Sequence, residues 1–229
     1  MIHEVLRSEE HTSELQSKHK HVMEYDVETD IIKKSVIEQL LWEAWDITPS
    51  KNNLMPWQVF VIGPDNEKYK SMVYNICSNN EDRTNGVNEY ADKDYIKGRI
   101  PAYENIISCQ YLLMMTQRVS GPLNDYQQKQ VKNGVVYDTL TEEDIKENEN
   151  IIDMECGIFS ANFRALAIEK EIDTSYTLCF NKRLKYWKDL PFIDMPVTLI
   201  MTIGRGKKYR KDLGYKDPKP DFERVVKLI

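Results

Sequence analysis

The sequence predicts a single α+β domain, in which short apolar strands alternate with longer amphipathic helices. Three observations predict it. Apolar, β-prone runs lie at residues 59–62 and 106–119. Segments with helical spacing lie before, between and after them, at residues 30–45, 65–79 and 151–171. The length of 229 residues suits one substantial core better than two.

Charge and cysteine usage exclude several functions. Against 31 Lys and Arg stand 37 Asp and Glu, a formal net charge of −6 that argues against general affinity for nucleic acid or an anionic membrane. No apolar run approaches the roughly 20 residues that cross a bilayer. The N-terminus lacks the apolar centre of a secretory signal, so a cytoplasmic location is expected. Cys77, Cys109, Cys156 and Cys179 form no Cys-x-x-Cys pair and no Cys/His cluster, and read as reduced core thiols. His19 and His21 have no third ligand nearby, so no native metal site is expected. Neither a Gly-x-Gly-x-x-Gly fingerprint nor a P-loop is present.

The elements follow in order. Asp30 is a candidate cap for the first helix, where Ile32, Val36 and Leu40 form one line and Ile37, Leu41 and Trp45 widen the face. Residues 47–57 then form a polar loop. Pro49 and Pro56 fix φ there, and Ser50, Asn52 and Asn53 crowd donors and acceptors between them, an arrangement able to meet a planar heterocycle. The strand at 59–62 leads to a helix with Tyr69, Met72, Val73 and Ile76 at helical spacing. Residues 80–104 are polar and aromatic-bearing, as expected of either a cover over a site or a solvated connection. Residues 106–119 read as a buried strand. A polar insertion fills 120–150, with Thr141 as a helix cap followed by acids in the first turn. In residues 151–171, Ile158, Ala161, Ala165 and Ile168 line one side and Phe159, Phe163 and Leu166 lie beside them, which implies burial on more than one face. Residues 174–180 read as a strand or extended turn. The tail from Gly204 to Lys211 is basic, suited to an anion site or to balancing an acidic surface.

The order Pro49-Ser50-x-x-Asn53-x-x-Pro56-Trp57, then a strand, then the stretches 153–175 and 195–204, resembles the nitroreductase family of FMN-dependent oxidoreductases. The resemblance implies a three-layer fold with a central, mainly antiparallel sheet flanked by helices. It implies a homodimer with helix 151–171 at its centre. It also implies FMN as cofactor, NADH or NADPH as donor, and a small acceptor such as a nitroaromatic or quinone, reduced in ping-pong alternation. Carried over by motif, Pro49, Ser50 and Asn53 meet the flavin. Tyr176, Thr177 and Leu178 stand where the family often has a Pro-x-Glu-Gly-like strand, so a backbone contact is retained and a glutamate contact is missing. Lys18 and Lys20 stand at the end of the family's basic phosphate motif, with Gln16 and Lys18 in place of its leading Arg and its Ser. Lys216, Lys219 and Arg205 correspond to the basic residues near its C-terminus. Solvation of a chain terminus is the alternative reading of Lys18 and Lys20, and a solvated basic tail that of the C-terminal residues. No side chain need act as nucleophile, because the cofactor carries the chemistry. Residues 7–17 resemble the translation of a sequencing-library adapter, which implies a metagenomic reading frame with residues 1–17 as a non-native extension and 18–229 as the domain. The alternative function is a non-catalytic flavin or small-ligand binding protein of the same fold.

Overall fold

The structure, a computed structural model, describes residues 21–51, 54–78, 103–120, 123–136, 138, 140–178, 180–210 and 225. A strand β1 (Val22–Tyr25) is followed by α1 (Lys34–Ile47), β2 (Trp57–Ile62), α2 (Glu67–Ser78) and α3 (Glu104–Ser108). Then come β3 (Tyr111–Gln117), α4 (Asp125–Lys132), α5 (Glu142–Glu147), the long α6 (Glu149–Glu169), β4 (Asp173–Thr177), β5 (Val197–Gly204) and β6 (Gly206–Tyr209). The main sheet has the order β2-β3-β5-β4 and is antiparallel throughout, while β1 and β6 form a second antiparallel pair.

The sheet divides two cores. Because side chains alternate along a strand, Tyr111, Leu113 and Met115 of β3 face α1 and α6, whereas Leu112 and Met114 face the opposite layer. The first core takes Ile37, Leu40 and Ala44 from α1 and Ile152, Phe159, Phe163 and Ala167 from α6. The second takes Val73 and Cys77 from α2, Ile106 from α3, and Phe180, Trp187 and Ile193 from the segment before β5. A β-bulge serves this division. Met115 pairs with Leu199 but Thr116 pairs with Val197, so Thr198 is the extra residue. That extra residue reverses the alternation and sends Leu199 and Val197 to opposite cores.

Several expectations change here. The first helix begins at Lys34, not Asp30, and its cap position, Lys33, makes no side-chain cap. Gln110 holds the preceding chain extended, accepting from Ile32 N at 2.8 Å and donating to Asp30 O at 3.3 Å. Trp45 is 48% exposed instead of widening the core face. The expected strand at 106–119 begins only at Tyr111, since residues 104–108 coil into α3 and Ser108 Oγ accepts the Tyr25 amide at 3.0 Å. An apolar run this short does not by itself separate helix from strand. The basic tail contains β6, whose Lys207 and Lys208 reach Glu24 of β1 at 3.6 and 2.6 Å. Thr141 caps α5 as expected, accepting from Asp144 N at 3.2 Å while Asp144 accepts from Thr141 N at 2.8 Å. The reciprocal pair Asn124 and Gln127 starts α4 in the same way. Residues 1–17 and 80–102 lie outside the described residues. Among the described residues no helix is long and apolar enough to cross a membrane.

Candidate functional site

The loop after α1 is tied down at several points. Thr48 Oγ1 donates to Ala44 O at 2.6 Å and accepts from Asn162 Nδ2 of α6 at 3.1 Å. Pro49 is exposed and Ser50 half-buried, and Ser50 Oγ accepts the Met55 amide at 2.9 Å. The structure therefore brings these two expected residues into one loop and gives the Ser50 hydroxyl a loop-closing bond. Glu155 of α6, only 2% exposed, accepts from Lys51 N at 2.8 Å and from Trp57 Nε1 at 3.1 Å. Lys51 Nζ adds a bond to Asn148 Oδ1 at 3.1 Å. At the far end of the loop, Arg118 donates through Nε to Met55 O at 2.9 Å and through Nη2 to Leu54 O at 2.7 Å, with Nη1 on Asp138. That guanidinium holds the Asp138 carboxyl below the usual carboxylate range.

A second constellation lies at edge strand β4. Tyr176 OH donates to Ser160 O at 3.1 Å, and the Arg164 guanidinium carbon lies 5.3 Å from its ring centre. Burial is the main reason the Tyr176 phenol titrates above its ordinary value. Thr177 is buried and Leu178 is 56% exposed. On the other face of the strand Ser175 Oγ meets His21 Nδ1 at 2.9 Å, and Arg210 N donates to His21 O at 2.9 Å. Desolvation of the imidazole, then the charges of Arg210 and Arg164, lower the His21 pKa below 6.5, although the residue as a whole stays exposed. Arg205 is turned elsewhere, donating to the carbonyls of Lys170 and Glu171 at the end of α6. Lys18, Lys20, Asn53, Lys216 and Lys219 lie outside the described residues.

Helix α6 sets these groups apart. Glu155, which holds the loop, and Arg164, which covers Tyr176, are nine positions or about two and a half turns apart, so they emerge on opposite sides of the helix. One chain thus presents a polar loop on one flank of α6 and a cationic strand edge on the other. Glu155, Arg118, Arg164, His21 and Arg210 were not singled out from sequence as site residues. Their one legible signal is an acid at position 155 inside an otherwise apolar helical arc.

No family model and no curated protein matches the chain. Solved structures do. A Staphylococcus epidermidis protein assigned as an NAD(P)H:FMN oxidoreductase superposes with TM-score 0.59 at 16% identity, over 95% of each chain. An Exiguobacterium sibiricum protein assigned as a nitroreductase, solved in complex with FMN, gives TM-score 0.60 at 14% identity, over 95% of this chain and 97% of that one. Nitroreductase A of Vibrio parahaemolyticus gives 0.61 at 15% identity, over 95% of this chain and 74% of that one. At such identities the likeness is one of architecture, and it extends over nearly the whole chain. The chain has the nitroreductase fold.

Proposed function

We propose that the protein is a homodimeric flavin oxidoreductase of nitroreductase type, binding FMN and using NADH or NADPH to reduce a small acceptor such as a nitroaromatic or quinone. The observation that carries this reading is the convergence of Arg164, Arg210 and His21 on edge strand β4 in a chain of net charge −6. These residues fit a phosphomonoester. Guanidinium groups match phosphate oxygens in fork geometry. In the neutral tautomer in which Nδ1 accepts from Ser175 Oγ, His21 carries its proton on Nε2, a donor for the same anion. Tyr176, Thr177 and Leu178 offer an aromatic and partly exposed apolar surface to a flat ring, and the loop carrying Pro49, Ser50 and Asn53 offers its polar edge. Lys18, Lys20, Lys216 and Lys219 are further cations for the phosphate. The FMN complex of the Exiguobacterium neighbour supports the cofactor.

When bound, FMN supplies two-electron transfer between nicotinamide and acceptor. The chain's own groups neutralise the phosphate, orient the ring and keep water from it, and no side chain acts as nucleophile. Donor and acceptor occupy the same place in turn, which is ping-pong kinetics. The solvent-facing arc of α6 supports the homodimer. It carries Met154, Ile158, Ala161, Ala165 and Ile168, with Met154 58% exposed. A second copy laid on this arc covers it and brings another chain to each loop. The nicotinamide donor suits a cytoplasmic setting.

The test is the visible spectrum of the purified protein with FMN, before and after anaerobic NAD(P)H. Bleaching on NAD(P)H and recovery on adding a quinone are expected, with parallel double-reciprocal rate lines. A protein that takes up no FMN sinks the reading. Bound FMN with no NAD(P)H oxidation would instead identify a non-catalytic flavin binder, a reading favoured by the lack of an acid among Tyr176, Thr177 and Leu178.

A further inference from the structure

We infer that Glu155 and Arg118 are positioning residues, which hold the loop between α1 and β2 in the shape that receives the ligand. The inference rests on the flavin reading of that loop. A carboxylate that is 2% exposed would ordinarily be met by a cation, yet both partners of Glu155 are neutral N–H groups, the Lys51 amide and the Trp57 indole. A buried charge satisfied in this way is a poor source of stability compared with a well-packed apolar side chain. What it does provide is direction. Its two oxygens fix the loop amide at Lys51 and the indole at the start of β2 relative to one rigid helix.

Arg118 works on the opposite end of the same loop. Its Nε and Nη2 take the carbonyls of Met55 and Leu54, and Nη1 binds Asp138. All three guanidinium nitrogens are in use, a geometry that an ammonium group cannot reproduce. Between these grips Met55 holds φ at 44°, the left-handed region that a non-glycine residue avoids. Its backbone is locked on both sides, the N–H by Ser50 Oγ and the C=O by Arg118. The described residues of the loop, 48–51 and 54–56, are therefore held before a ligand arrives, and binding need not supply that ordering.

Three variants separate positioning from general stabilisation. Glu155→Gln keeps the side-chain size but turns one acceptor into a donor that faces an N–H. Arg118→Lys keeps the charge toward Asp138 but loses the fork. Val73→Ala empties space in the core on the other side of the sheet and serves as the destabilised control. Expected is an FMN dissociation constant, read by flavin fluorescence, that rises about tenfold in each of the first two and stays within about twofold in the control. Hydrogen exchange at the Lys51 and Met55 amides should accelerate by about tenfold in the first two alone. Wild-type exchange rates at both amides in both variants, or equal acceleration in Val73→Ala, would overturn the inference. A wild-type protein that does not bind FMN would defeat the flavin reading alone, because amide exchange still decides whether these residues hold the loop.

Discussion

His21 joins site and stability in one measurable group. Its folded pKa lies below the ordinary 6.5, so the unfolded chain takes up the proton first as pH falls. Its contribution is therefore complete above 6.5 and is lost as pH drops from there through the lower folded value. An NMR titration, with His21 assigned by its disappearance in His21→Asn, should place the midpoint below 6.5 and move it upward on adding FMN, whose phosphate offsets the fields of Arg210 and Arg164. A midpoint at or above 6.5 in the flavin-free protein, or one unmoved by FMN, would contradict the phosphate assignment. Gly204 tests packing. A Cβ there would lie 2.7 Å from Tyr25 Cδ1, and Tyr25 cannot swing aside because its hydroxyl donates to Thr202 O at 2.8 Å in the core. Gly204→Ala should cost about 1–3 kcal/mol in urea unfolding, and an unchanged midpoint would show that the ring yields. Burial pushes the Cys109 and Cys156 thiols up to about 12, so neither should react with iodoacetamide until the protein unfolds. At this scale Pro49 and Ser50 were legible, because proline and a clustered hydroxyl announce a loop. Glu155 and Arg118 were not, because a charged residue reads as solvated until its burial is known.

Among the elements, α6 is the most informative. Its inner arc of Ile152, Phe159, Phe163 and Ala167 packs on the sheet and on α1, while its outer arc is apolar from Met154 to Ile168. Trp42 and Trp45 of α1 are exposed apolar side chains as well, at 61% and 48% exposure. Ala161→Glu places a charge on the outer arc without touching the core. It should leave the far-UV spectrum and unfolding midpoint of the monomer intact and weaken self-association at least about tenfold in sedimentation. Unaltered association would remove α6 from the interface. The broad apolar stripe of this helix was readable from its spacing. The division of that stripe into an arc against the sheet and an arc left to solvent was not, since spacing gives faces but not their neighbours. The start of α1 escaped for a related reason. Asp30 has the right chemistry for a cap, but Gln110, 80 positions away in sequence, binds its carbonyl and keeps that segment extended.

For the whole molecule, the opposite flanks of α6 carry the loop and the cationic edge of β4, and in the proposed homodimer a ligand that needs both draws on two copies of the chain. FMN affinity should then depend on protein concentration in Ala161→Glu, falling as the variant dilutes to monomer. Concentration-independent affinity would mean that one chain binds the flavin by itself. The sequence alone determined the α+β class, the loop at 47–57 and the order of the main helices and strands. All of these rest on local periodicity, backbone restriction by proline and the supply of apolar residues. Only the tertiary structure decided which charges are buried, where the bulge at Thr198 reverses the face of β5, and that β6 returns to pair with β1. These depend on contacts between residues far apart in the chain, where burial and geometry, not residue type, select the partner.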